Sequence, residues 1–114
     1  MSPDVEIFIT SAFKRQYKAL KKTYRNIDCD FKALLETLHK APKSGKSLGH
    51  GLYKVRLEGT DIPGGKRGGY RVITYFVDTD NSLYLLSIYS KRQIENISLR
   101  EIKQIMKREN LLPE

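Results

Sequence analysis

Cysteine and histidine are scarce in this chain of 114 residues: there is one thiol, Cys29, and two imidazoles, His39 and His50. One thiol builds neither a disulfide framework nor a zinc site of several thiolates. The histidines form no HxxxH spacing and no carboxylate cluster at metal-ligand intervals, and Cys29 has no histidine near it in sequence. Metal-dependent hydrolysis is therefore disfavoured, and no metal or other cofactor is expected. The chain also lacks a GxxxxGK[ST] loop, and its glycine cluster at 64–69 runs into a strand pattern rather than a helix, which argues against nucleotide binding. No apolar run approaches the ~20 residues of a membrane helix, and the first residues lack the basic-then-apolar pattern of a secretion signal. A cytoplasmic location without membrane association is the expectation.

Acidic charge is in short supply as well. Lys and Arg total 21 against 13 Asp and Glu, a formal net charge of +8 with a pI near 9.6. Concentrated on one small surface, that charge favours a nucleic acid or an acidic protein as partner. The length suits one domain with one core, residues 1–114. There is no internal repeat and no low-complexity segment.

Patterning predicts an α+β domain with an antiparallel sheet in the order β-α-α-β-β-β-α. Val5, Ile7 and Ile9 alternate with other residues as a strand does. Phe13, Tyr17, Leu20 and Tyr24 then recur at helical spacing after Thr10 or Ser11 as N-cap, with Lys14, Arg15, Lys18, Lys21 and Lys22 on the remaining faces. Phe31, Leu34, Leu35 and Leu38 mark a second helix capped by Asp28 or Asp30, so the two form a helical hairpin. Pro42, Gly45, Gly49 and Gly51 mark a loop.

Three strands follow. In the first, Tyr53, Val55 and Leu57 share one face and Lys54, Arg56 and Glu58 the other. Tyr70 to Val77 is apolar on both faces, as a central strand should be. Asp78 to Ser82 makes a polar turn into Leu83–Tyr89. Ser98 and Glu101 announce the last helix as a capping box, Ile97 and Ile102 supply a staple, and Leu99, Ile102, Ile105 and Met106 form the buried stripe. Helices packed on one sheet face would leave the other face partly open.

That open face is where chemistry is expected. Lys54 and Arg56, Arg71 on the next strand, and Tyr89, Lys91 and Arg92 at the end of the last converge if the strands form a meander. Scattered solvent cations are the plainer explanation of the same residues, and half-buried packing is the plainer one for Tyr89. The basic face of the first helix, Lys18 and Lys22 included, is either a solvated face or a contact for RNA. His50, alone in a glycine-rich loop, reads as an ordinary surface side chain.

The runs Leu52-Tyr53-Lys54-Val55-Arg56-Leu57, Gly65-Lys66-Arg67-Gly68-Gly69-Tyr70-Arg71-Val72-Ile73 and Leu86-Ser87-Ile88-Tyr89-Ser90-Lys91 resemble those of RelE/HigB-type toxins of bacterial toxin–antitoxin pairs. The likeness extends from the first strand to the capped last helix. It implies a metal-independent, ribosome-dependent messenger RNA endonuclease that inhibits translation in the 30S A site and is held inactive by a cognate antitoxin. Within that implication Lys54 is the candidate base, with Arg56 as alternative, and Arg71 and Arg92 bind the scissile phosphate. Tyr89 serves as stacking platform or acid, Lys91 joins the catalytic group, and Lys66, Arg67, Lys18 and Lys22 contact RNA. Family members with a C-terminal catalytic tyrosine carry it where this chain has Ser98, which leaves the acid unassigned. Two alternatives stay open: a non-enzymatic gyrase inhibitor, as in the related ParE branch of the fold, and an RNA-binding module without cleavage activity.

Overall fold

The computed structural model describes residues 4–64 and 68–112, so Lys66 and Arg67 lie outside the described residues. A five-stranded sheet carries the fold, in the order β1-β5-β4-β3-β2. Its strands are β1 (Glu6–Ile9), β2 (Lys46–Gly49), β3 (Leu52–Leu57), β4 (Tyr70–Val77) and β5 (Ser82–Ser90). The helices are α1 (Ser11–Thr23), α2 (Ile27–Lys40) and α3 (Leu99–Arg108). The α+β expectation holds, with two corrections to the sheet. It is mixed rather than wholly antiparallel, because β1 pairs with β5 in parallel. It also gains β2 inside the segment expected to be a loop, and this strand pairs antiparallel with β3.

Both faces of the sheet are covered. Phe13, Leu20, Leu34 and Leu38 of the helical hairpin pack on Val55, Leu57, Val72, Leu85 and Ile88. On the opposite face, expected to be open, α3 sets Ile102, Ile105 and Met106 against Leu52, Ile73, Leu86 and Tyr89. The buried stripe of α3 does not include Leu99, which is 57% exposed. A narrow sheet flanked by a helical hairpin and a separate helix buries two apolar clusters, one on each side.

Local chemistry sets the element ends. The Thr10 side chain accepts from the Phe13 amide and caps α1, and Ser98 accepts from the Glu101 amide and caps α3. The second helix begins earlier than either aspartate: Asn26 occupies its N-cap position, and Asp28 and Asp30 fall in the first turn. There their negative charges face the positive end of the helix dipole. The Asp30 carboxylate is buried and accepts from the Thr60 amide at 3.0 Å and the Thr60 hydroxyl at 2.6 Å, while Asp61 accepts from Asn26. These bonds tie the connection after β3 to α2.

A bulge in β5 decides which side chains face α3. Ile73 pairs with Ser87 and Thr74 with Leu85, so Leu86 is an extra residue. Before it, Leu83 and Leu85 point to the hairpin; after it, Ile88 does, and Tyr89 turns to the α3 side beside Arg71. Polar groups of β5 at and past the end of β1 are taken up by α1 and its cap. The Thr10 hydroxyl donates to the Leu85 carbonyl at 2.9 Å, and Gln16 Oε1 accepts from the Ile88 amide at 3.0 Å and the Ser87 hydroxyl at 2.9 Å.

Candidate functional site

Alternation along β3 places Leu52, Lys54 and Arg56 on the α3 face, and alternation along β4 places Arg71 and Ile73 there too. Register does the rest. Lys46 stands opposite Lys54, Lys54 opposite Ile73, and Arg56, Arg71 and Tyr89 form the adjacent cross-strand row. β2 pairs with β3 only as far as Lys54, so among the described residues no further strand lies beside the edge of β3 from Val55 to Leu57. A groove of about 820 Å³ opens at that edge.

Lys46, Lys54, Arg56, Arg71, Lys91 and Asn96 bring the polar side chains of β2–β4 and of the segment after β5 into this groove, while Ala33, Leu34 and Thr37 of α2 form its other wall. The strand ends can meet so closely because residue 69 is a glycine: a Cβ there would lie 2.2 Å from the Leu57 carbonyl oxygen. The Lys91 amide donates to the Gly69 carbonyl at 3.1 Å, which fixes Lys91 on the groove wall.

Cations outnumber carboxylates in the groove, five to two, with Asp30 and Glu58 the acidic members of its lining. Arg71 is only 4% exposed, and one guanidinium nitrogen donates to the Tyr70 carbonyl at 3.1 Å. Burial, then the neighbouring Arg56, pulls its pKa below the ordinary arginine range. The group nevertheless stays charged at any relevant pH. Lys54 Nζ donates to Asn96 Oδ1 at 2.9 Å. Its pKa is lowered first by burial, then by Lys46, Lys91, Arg71 and Arg56. A lysine so placed sheds its proton more readily than a solvated one, which is what a base requires.

Of the residues expected to act, Lys54, Arg56, Arg71 and Lys91 meet in the groove. Tyr89 and Arg92 do not line it. Tyr89 is buried in the α3 cluster, with no hydrogen-bond partner for its hydroxyl among the described residues. Burial pushes its pKa up, against the smaller pull of the Ile97 backbone, which does not reach hydrogen-bond geometry, and of Arg71. Arg92 is exposed on the turn after β5. Lys18 and Lys22 are exposed on α1, which packs along β5, away from the groove edge. Two lining residues, Lys46 and Asn96, had no sequence signal: Lys46 opens a four-residue strand among loop-forming residues, and Asn96 sits in a polar run without periodicity. Among the described residues no cluster of three metal-ligating side chains occurs, and no helix is long and apolar enough to cross a membrane.

Comparison with known proteins gives this arrangement a family. Residues 5–112 match the family described as RelE toxin of the RelE/RelB toxin–antitoxin system. The chain belongs to the RelE toxin family. It is accordingly a toxin of a toxin–antitoxin system, whose protein partner is an antitoxin. Among solved structures, the fold is similar to a doubly arginine-substituted mutant of E. coli toxin RelE in the free state, with TM-score 0.60 and 17% identity over 93% of this chain and 98% of that one. It is similar also to the isolated E. coli RelE toxin, with TM-score 0.55 and 18% identity over 90% and 97% of the two chains. At these identities the structural likeness concerns the fold alone.

Proposed function

We propose that this RelE-family toxin is a metal-independent endoribonuclease that cuts messenger RNA in the ribosomal A site, in the cytoplasm, until its antitoxin occupies it. The observation that carries the reading is the convergence of Lys46, Lys54, Arg56, Arg71 and Lys91 on one groove, with Arg71 buried at its floor. RNA brings its own nucleophile, so the protein has to align the 2′-hydroxyl with the phosphorus, remove its proton and neutralise the phosphorane-like charge.

Lys54 Nζ takes the 2′-hydroxyl proton as the 2′-oxygen bonds to phosphorus, and Arg56 is the alternative group in that position. Arg71 presents a planar fork to two phosphoryl oxygens, with Lys91 adding charge from the same wall of the groove. The bond from phosphorus to the 5′-oxygen breaks, leaving a 2′,3′-cyclic phosphate. Because no tyrosine or histidine is among the described residues that line the groove, the leaving oxygen takes its proton from solvent or from a neighbouring ammonium. Tyr89 acts beneath Arg71 as packing rather than as the acid.

Toeprinting in a cell-free translation reaction tests this reading. New messenger ends should form with the wild type and be lost with Arg71→Ala. Inhibition of purified gyrase without messenger cleavage would favour the non-enzymatic branch instead, and RNA binding without either activity would favour a binding module.

A further inference from the structure

The residue directly opposite Lys54 on β2 is another lysine, Lys46. Like charges set opposite one another across a strand pair destabilise it, and neither lysine forms a salt bridge among the described residues. Gly45 enforces the opposition. Its φ is +93°, and a Cβ there would lie 2.4 Å from the Lys54 carbonyl oxygen, so only glycine lets β2 start hard against β3. Nothing in the packing asks for a cation at position 46, whose side chain is exposed. A repulsive pair fixed by tight backbone geometry at the mouth of a groove calls for a purpose other than stability.

We propose that Lys46 is a positioning residue for the cleavage reaction: its ammonium, held opposite Lys54, keeps part of the Lys54 amine population uncharged and ready to accept the 2′-hydroxyl proton. This rests on the ribonuclease reading of the groove. Of the other groups around Lys54, the cations act in the same direction, and neither groove carboxylate is among the influences on its pKa. Arg56 on β3, Arg71 on β4 and Lys91 after β5 are cations; Asn96, before α3, is neutral and holds Nζ by its amide oxygen. On the α2 wall Asp30 gives both oxygens to Thr60, and Glu58 is exposed at the groove's end. Lys46 is the largest charge–charge influence lowering the Lys54 pKa, after burial itself.

Two measurements on the full chain test the assignment. In the free protein, NMR titration of the Lys54 side chain should move to higher pH in Lys46→Gln, farther in Lys46→Glu, and stay in place in Lys46→Arg. In single-turnover cleavage, Lys46→Gln should shift the acid limb of the rate profile to higher pH and lower the rate at pH 7 about fivefold, with the high-pH plateau retained. A weaker KM with both titration and acid limb unmoved would overturn the proposal and leave Lys46 as a phosphate contact. If the wild type cleaves no RNA while the Lys54 titration still follows the charge at position 46, the ribonuclease reading fails and the catalytic use of Lys46 falls with it; the electrostatic coupling remains.

Discussion

A guanidinium held to 4% exposure is uncommon, and that of Arg71 lines the groove, which makes it the first single residue to test. Replacing it with alanine should lower the rate of cleavage about a hundredfold. Arg71→Lys should recover only part of the loss, since an ammonium lacks the planar two-point fork, and the rates under single-turnover conditions will tell the two apart. Tyr89→Phe should leave the rate almost unchanged and the melting temperature undiminished, because the hydroxyl it removes has no hydrogen-bond partner among the described residues. Lys54 carries a stability signature of its own. The folded state disfavours its charged form, so the unfolded chain binds more protons between the lowered pKa and the ordinary one, and stability contributed by this residue rises with pH across that interval. Lys54→Met should flatten that rise in denaturant titrations at several pH values. Lys54, Arg56 and Arg71 stood out in the strand pattern, where scattered solvent cations explained them as well, and their roles came from the family resemblance. Lys46 and Asn96 did not stand out, since their roles come from a register and a loop contact that no local pattern encodes.

Among the elements, β5 shows what a sequence does and does not disclose. Its length and apolar content were plain, yet strict alternation from Leu83 would have sent Tyr89 toward the helical hairpin; the single extra residue at Leu86 reverses this. The buried polar groups of β5 past the end of β1 must be met by distant partners, and Gln16, 71 residues away from Ser87, is one of them. Gln16→Ala should therefore cost about 1–3 kcal/mol in urea unfolding, because the Ile88 amide and the Ser87 hydroxyl lose their acceptor. Helix starts were easier: Thr10 and Ser98 follow the capping rules that depend on a few adjacent residues. The start of α2 was misplaced because aspartate serves as well in a first turn as at a cap. β2 escaped notice because four residues, Lys-Ser-Leu-Gly, between Gly45 and His50 carry too little alternation to be read as a strand.

For the molecule as a whole, the net charge of +8 makes encounter with RNA depend on ionic strength. Binding measured over a salt series should lose about 0.7 from its log–log slope in Lys91→Gln, the amount expected when one contact to a single strand is removed. Cationic character and its two clusters, on the first helix and on the sheet, were legible in the sequence, but their separation in the fold was not. The groove lies at the β3 border of the sheet, whereas Lys18 and Lys22 ride on α1 along β5, toward the β1 border. β3 and β5 are two strand spacings, about 10 Å, apart in the sheet, with β4 between them. An oligonucleotide confined to the groove leaves these α1 cations untouched, and affinity plotted against oligomer length should climb as a staircase, its upper step reached only when the polymer can curl around the protein's flank.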